Sequence, residues 1–128
     1  MNLLLDTCSF LWLARHPSQL SPAAVDAINA PSNTLLLSDV SIWEITMKHA
    51  AGKLPLPEPP RNWIPKQANF FQLLQQKIDK ESLYLSGELP WTHRDPFDRL
   101  LAAQSIAHKL TIVTPDQPIA DLGAITCW

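Results

Sequence analysis

The chain has 128 residues, 46% of them hydrophobic, with a formal net charge of -2 and a pI near 6.0. That length suits one domain, residues 1–128, with a respectable buried core. The acidic balance excludes a broad, non-specific basic surface for nucleic acid, but not a nuclease, whose metal ligands are themselves acidic.

No apolar run is long enough to span a bilayer. The greasy start MNLLLDTCSFLWL lacks a basic lead and carries Asp6 in its middle, so no signal peptide and no membrane partner are expected. Cys8 and Cys127 have no neighbour at metal-site spacing and read as free thiols of a reducing, cytoplasmic protein.

In chain order, Asn2 to Leu5 is a short apolar run that fits a buried strand and stops at Asp6. Thr7 to His16 reads as a helix ended by Pro17. Ser21-Pro22 opens a second helix, with Ser as N-cap and Pro at the first position. Thr34 to Leu37 is a second strand-like run closing on Ser38 and Asp39. A helix follows from about Val40 to Ala51, and Gly52 is placed to end it in the left-handed conformation. The proline-rich LPLPEPP reads as a rigid surface loop, with helix resuming near Arg61 and running in pattern to Gln76, broken early by Pro65. Lys77 to Leu89 is the least legible stretch: a short strand, then a helix through Leu83 to Leu85 ended by Gly87. In HRDPFDRLLAAQ, Pro96 suits the first helical position and Asp95 the N-cap, launching a helix to Lys109. Leu110 to Val113 is a third strand-like run, and Ala124 to Trp128 a final one. Strands alternating with helices predict a three-layer α/β/α sandwich around a parallel sheet, with its site at the carboxyl ends of the strands.

The acids fall at those ends. The first run ends in Asp6-Thr7, the second in Ser38-Asp39, the third in Thr114-Pro115-Asp116. Glu44 lies within about two turns of the start of its helix. Asp95 and Asp98 stand three apart at one helix mouth, flanked by Arg94 and Arg99. Carboxylates gathered in one cleft repel each other, and hard divalent cations such as Mg²⁺ or Mn²⁺ relieve that. Paired cations can activate water and stabilise the leaving oxygen of a phosphodiester.

Each acid also has a purely structural reading. Asp6 can begin a loop, Glu44 can close a capping box with Ser41, Asp39 can cap a helix, Asp95 and Asp98 can cap and charge theirs, and Asp116 can be a turn acid. Lys48, His49 and Lys53 are either RNA-phosphate contacts or a solvated face, with Glu44–Lys48 an i,i+4 pair. Arg94 and Arg99 are better phosphate candidates, although Arg99 can equally hold an acid in place. His93 can move a proton, orient a carboxylate or be structural. Trp12, Trp43 and Trp63 read as core, with Phe10–Leu13 an alternative dimer or partner surface.

LLLDT, SDVSIWEITMKHAAGKL, LPWTHRDPFDRLLAAQSIAHKLTIVTPD and the terminal tryptophan resemble the PIN-domain ribonucleases, and among them the VapC-type toxins of bacterial toxin–antitoxin pairs. The resemblance covers nearly the whole chain in order and spacing. It implies a Mg²⁺- or Mn²⁺-dependent endoribonuclease with an acidic quartet at Asp6, Glu44, Asp98 and Asp116, supported by Asp95, Thr7, Ser41 and Thr114. It implies attack by water on RNA, leaving a 5′-phosphate and a 3′-hydroxyl. It also implies a homodimer silenced by a small cognate antitoxin. Cys8 stands where His is frequent, and Leu122 where an aromatic is common.

The competing readings are weaker. An aspartate-nucleophile phosphatase wants a second Asp where Cys8 stands. A phospho-receiver wants an acid beside the first Asp, where Leu5 stands, and a lysine after a late strand. A housekeeping RNA-processing nuclease and a non-catalytic PIN module share the pattern; the complete quartet favours an active enzyme.

Overall fold

The structure, a computed structural model, describes residues 1–128. The elements run β1 (Asn2–Leu5), α1 (Thr7–Arg15), α2 (Pro22–Asn29), β2 (Thr34–Ser38), α3 (Asp39–Ala50), α4 (Pro60–Phe70), β3 (Leu74–Gln76), α5 (Lys80–Glu88), α6 (Pro96–His108), β4 (Thr111–Val113), α7 (Gln117–Asp121) and β5 (Ile125–Cys127). All strand pairs are parallel, in the order β3-β2-β1-β4-β5. The chain builds outward from β1 through β2 to β3, then returns to add β4 and β5 on the other side. The order therefore reverses between β1 and β4, which in such sheets opens a crevice beyond the carboxyl ends.

Side-chain alternation along the strands divides the core into two layers. Leu3, Leu5, Leu37 and Val113 face Phe10, Ala24, Ile45, Trp63 and Ile64, from α1, α2, α3 and α4. Leu4 and Ile112 face Leu100, Leu101, Ala103, Ile119 and Leu122, from α6, α7 and the residue that caps α7. The α/β/α sandwich predicted by the strand–helix alternation is the observed one. No helix is long and apolar enough to cross a membrane.

Local differences from the sequence pattern have physical causes. The helical pattern to Gln76 stops at Phe70, because Gln72 takes a left-handed turn (φ 56°) and Leu74–Gln76 pair with the open edge of β2. Backbone pairing at a free sheet edge overrides the helix preference of the Leu/Gln stretch, since tertiary context outweighs propensity. Pro65 sits inside α4 instead of breaking it. Gly87 lies within α5, which ends at Glu88. Gly52, at φ +73°, does follow α3 in the left-handed region. Leu122 is 2% exposed and fills the core, so the absent aromatic is replaced by aliphatic packing. Of the tryptophans expected in the core, only Trp63 is buried there. Trp43 is 47% exposed, edge-on to Phe97, and Trp12 packs against Trp128.

Candidate active site

The carboxyl ends of β1 and β4 are adjacent, and Asp6 sits where β1 passes into α1. Its Oδ1 accepts a hydrogen bond from Ser9 N at 2.7 Å, capping α1. Ser9 Oγ donates to Val113 O at 2.7 Å, locking this mouth to the end of β4. Thr114 continues from β4; its Oγ1 accepts from Asp116 N at 3.1 Å, and its side chain also hydrogen-bonds Asp6. Asp6 and Thr114 are each 3% exposed. The capping role and a place in the site are compatible for Asp6, since one oxygen of the carboxylate serves the helix.

Glu44 comes from the middle of α3 and is 7% exposed. Thr7 Oγ1 donates to its Oε1 at 2.7 Å and lies 3.1 Å from Ser41 Oγ. Lys48, one turn on, pairs with its Oε2 at 2.5 Å. No capping box forms with Ser41: the N-cap of α3 is Ser38, whose hydroxyl accepts from Val40 N at 3.0 Å. Asp39 is therefore not the cap. It turns to the sheet edge, where Gln75 Nε2 donates to it at 2.7 Å.

Asp95 caps α6 through Asp98 N at 3.1 Å, as the Asp-Pro pair predicts. Asp98 Oδ2 lies 2.7 Å from His93 Nε2, so the loop histidine orients a carboxylate.

Asp6, Glu44, Asp95, Asp98 and Asp116 line a single cavity of about 410 Å³, together with Thr7, Cys8, Leu11, Lys48, Lys53 and Leu54. Ser41 and Thr114 stand behind its wall, bonded to lining residues. Arg94 is exposed and outside the lining. The phosphate role expected of Arg99 is replaced by a structural one: it is 3% exposed and its guanidinium is bonded to main-chain carbonyls. His49 likewise serves the fold, its Nδ1 lying 2.9 Å from Leu54 O. Lys53, placed in sequence beyond the helix exit, is brought back to the cavity by the turn at Gly52.

The cavity has a strongly negative field. Burial pushes the Asp6 carboxyl up to about 6, with the charge of Asp116 adding and hydrogen bonds from Thr114 and Ser9 opposing. Burial also raises Asp98, helped by Asp95 and Glu44 and opposed by His93. Cys8 is pushed up to about 12 by burial and by the charges of Asp6, Asp116 and Glu44. Lys48 is raised mainly by its bond to Glu44. Partly buried acids held this close favour a cation. The carboxylates offer oxygen ligands suited to a hard divalent ion, and the Cys8 thiol beside them is kept protonated and so a poor ligand. As placed, no three acidic side chains close around one point, so the cage for an ion is not finished.

The PIN domain family matches residues 3–125. The chain belongs to that family. Among curated relatives it is 31% identical over 85 residues to Ribonuclease VapC16 of Mycobacterium tuberculosis, covering 51% of this chain and 60% of that protein. It is 26% identical over 118 residues to Ribonuclease VapC22 of the same organism, covering 91% of this chain and 88% of the relative. Among solved structures, VapBC2 from Rickettsia felis, bound to a promoter DNA fragment, superposes with a TM-score of 0.72 at 17% identity, over 98% of this chain and 97% of the other. At that identity the likeness concerns the PIN fold itself.

Proposed function

We propose that this PIN chain, acting as one domain over residues 1–128, is a divalent-metal-dependent endoribonuclease and the toxin of a toxin–antitoxin pair. One observation carries the reading. Residues far apart in sequence, Asp6, Glu44, Asp98 and Asp116, meet on one cavity at the switch point of a parallel sheet. The names of the two curated relatives support RNA as the substrate.

Asp6, Glu44, Asp98 and Asp116 would hold Mg²⁺ or Mn²⁺, with Asp95 beside them. When bound, the ion supplies charge neutralisation at the phosphodiester and acidifies the attacking water. The chain's own residues prepare the place. Thr7 and Lys48 hold Glu44, Ser9 and Thr114 hold Asp6, and His93 holds Asp98. Lys48 and Lys53 give the cavity a cationic side that can meet phosphate, with exposed Arg94 nearby in sequence.

The VapBC likeness and the VapC names support a cognate antitoxin as partner and a cytoplasmic setting. The exposed apolar side chains of α3, Trp43 at 47% and Met47 at 53%, support a homodimer, which sedimentation tests. Incubating the purified chain with RNA and Mg²⁺ or Mn²⁺ should give cleavage with 5′-phosphate ends, stopped by chelator and lost in Asp6→Asn. Cleavage that survives both chelator and Asp6→Asn rejects the site.

A further inference from the structure

Arg99 is the most fully engaged side chain of the protein and lies next to Asp98. Its Nε donates to Ser86 O at 3.0 Å. Its Nη2 donates to Ser86 O at 2.7 Å and Leu89 O at 2.8 Å. Its Nη1 donates to Pro90 O at 2.7 Å and His93 O at 2.8 Å. A guanidinium has five N–H donors, and all are spent here on carbonyls. No carboxylate pairs with it. Trp91 covers its face at 3.7 Å from the ring centroid.

The carbonyls are those of the end of α5 and of the loop leading to α6. Ser86 lies in the last turn of α5, where main-chain carbonyls lack helical partners and the dipole favours a positive charge. From the same loop, His93 reaches back to Asp98 Oδ2 at 2.7 Å. A closed circuit results: Arg99 fixes the main chain of His93, and the His93 ring fixes the carboxylate preceding Arg99 in α6.

We infer that Arg99 is a positioning residue that sets the aim of Asp98 into the cavity through the 89–93 loop and His93, and does not itself touch RNA. The inference rests on Asp98 being a ligand, as proposed above. Lysine cannot replace it, because an ammonium carries three donors on a flexible stem and cannot span four carbonyls in one plane. His93 is the partner one step behind Asp98, a place that typically carries about tenfold or more of the metal affinity, and Arg99, one step further back, carries at most the same.

The test is Mn²⁺ binding to the full chain without RNA, read by electron paramagnetic resonance, with folding checked by circular dichroism. Asp98→Asn should abolish or strongly weaken binding. His93→Leu, which leaves no donor for Asp98, should weaken it about tenfold. Arg99→Lys should weaken it by no more than that, and in a His93→Leu background it should weaken it no further. Loss of stability alone would not be coupled to His93 in this way. Wild-type Mn²⁺ affinity in Arg99→Lys, or a loss that adds in full to that of His93→Leu, overturns the inference. If Arg99→Lys does not fold, Trp91→Leu loosens the clamp without removing a donor. It should lower Mn²⁺ affinity in the wild-type but not the His93→Leu background, and unchanged affinity in both, or an equal loss in both, overturns the inference. Intact binding in Asp98→Asn would remove the ligand assignment and this inference with it. Lost binding there beside an unaffected Arg99→Lys removes only the inference.

Discussion

Replacing Asp6 by Asn deletes a buried charge while keeping a side chain able to cap α1. Asp6 is 3% exposed, and burial with the Asp116 charge moves its carboxyl from 3.8 to about 6. The unfolded chain releases this proton near the ordinary carboxylate value, the metal-free folded chain only near 6. Between those values the folded state binds more protons, so its stability falls as pH rises through the window and the loss is complete above it. A shift of about two pKa units, at about 1.4 kcal/mol each, amounts to about 3 kcal/mol. Asn carries no such loss. In chelator, urea unfolding of the two proteins should therefore diverge from about pH 4 to about pH 6 in favour of Asp6→Asn, by about 3 kcal/mol. Adding Mg²⁺ should then restore the wild type and leave the variant unmoved, since only a ligand-binding native state gains by mass action. A difference that stays constant across this range, or grows in favour of the wild type, would refute the claim that burial disfavours the Asp6 carboxylate in the folded chain.

Three further outcomes follow from the geometry. Glu44→Gln, Asp98→Asn and Asp116→Asn should each lower chelator-sensitive RNA cleavage at least about a hundredfold, whereas Asp39→Asn, outside the cavity and bonded to Gln75, should leave the rate unchanged in a fluorescent-RNA assay. Ser38→Ala removes the cap of α3 and the hydroxyl that meets the fully buried Gln104, so urea unfolding should show a loss of about 1–3 kcal/mol. Gly52→Ala meets no atom within 4 Å but must keep a φ of +73°, so it should cost about 1 kcal/mol by thermal unfolding.

Much of this molecule is legible in its sequence, because some features are local. Asn2–Leu5, Thr34–Leu37 and Leu110–Val113 read as buried strands from their apolar runs. Asp95-Pro96 and Ser21-Pro22 marked helix starts through the capping chemistry of adjacent residues. The less legible elements depend on distant partners. Leu74–Gln76 is a strand only because β2 offers an unpaired edge. Trp43 looked like core by residue type, yet α3 leaves it outside against Phe97.

The sequence by itself determined the identities and spacing of the acids, the alternation of strands and helices, and hence a parallel sheet with its chemistry at one edge. Only the tertiary structure decided which acids share the cavity. Asp6, Glu44, Asp95, Asp98 and Asp116 line it, and Asp39 does not. It also decided that Arg99 faces carbonyls and not substrate. The physical reason is that where a polar side chain finds its partner depends on which groups remain unsatisfied nearby once the chain is packed, and sequence spacing does not record those groups.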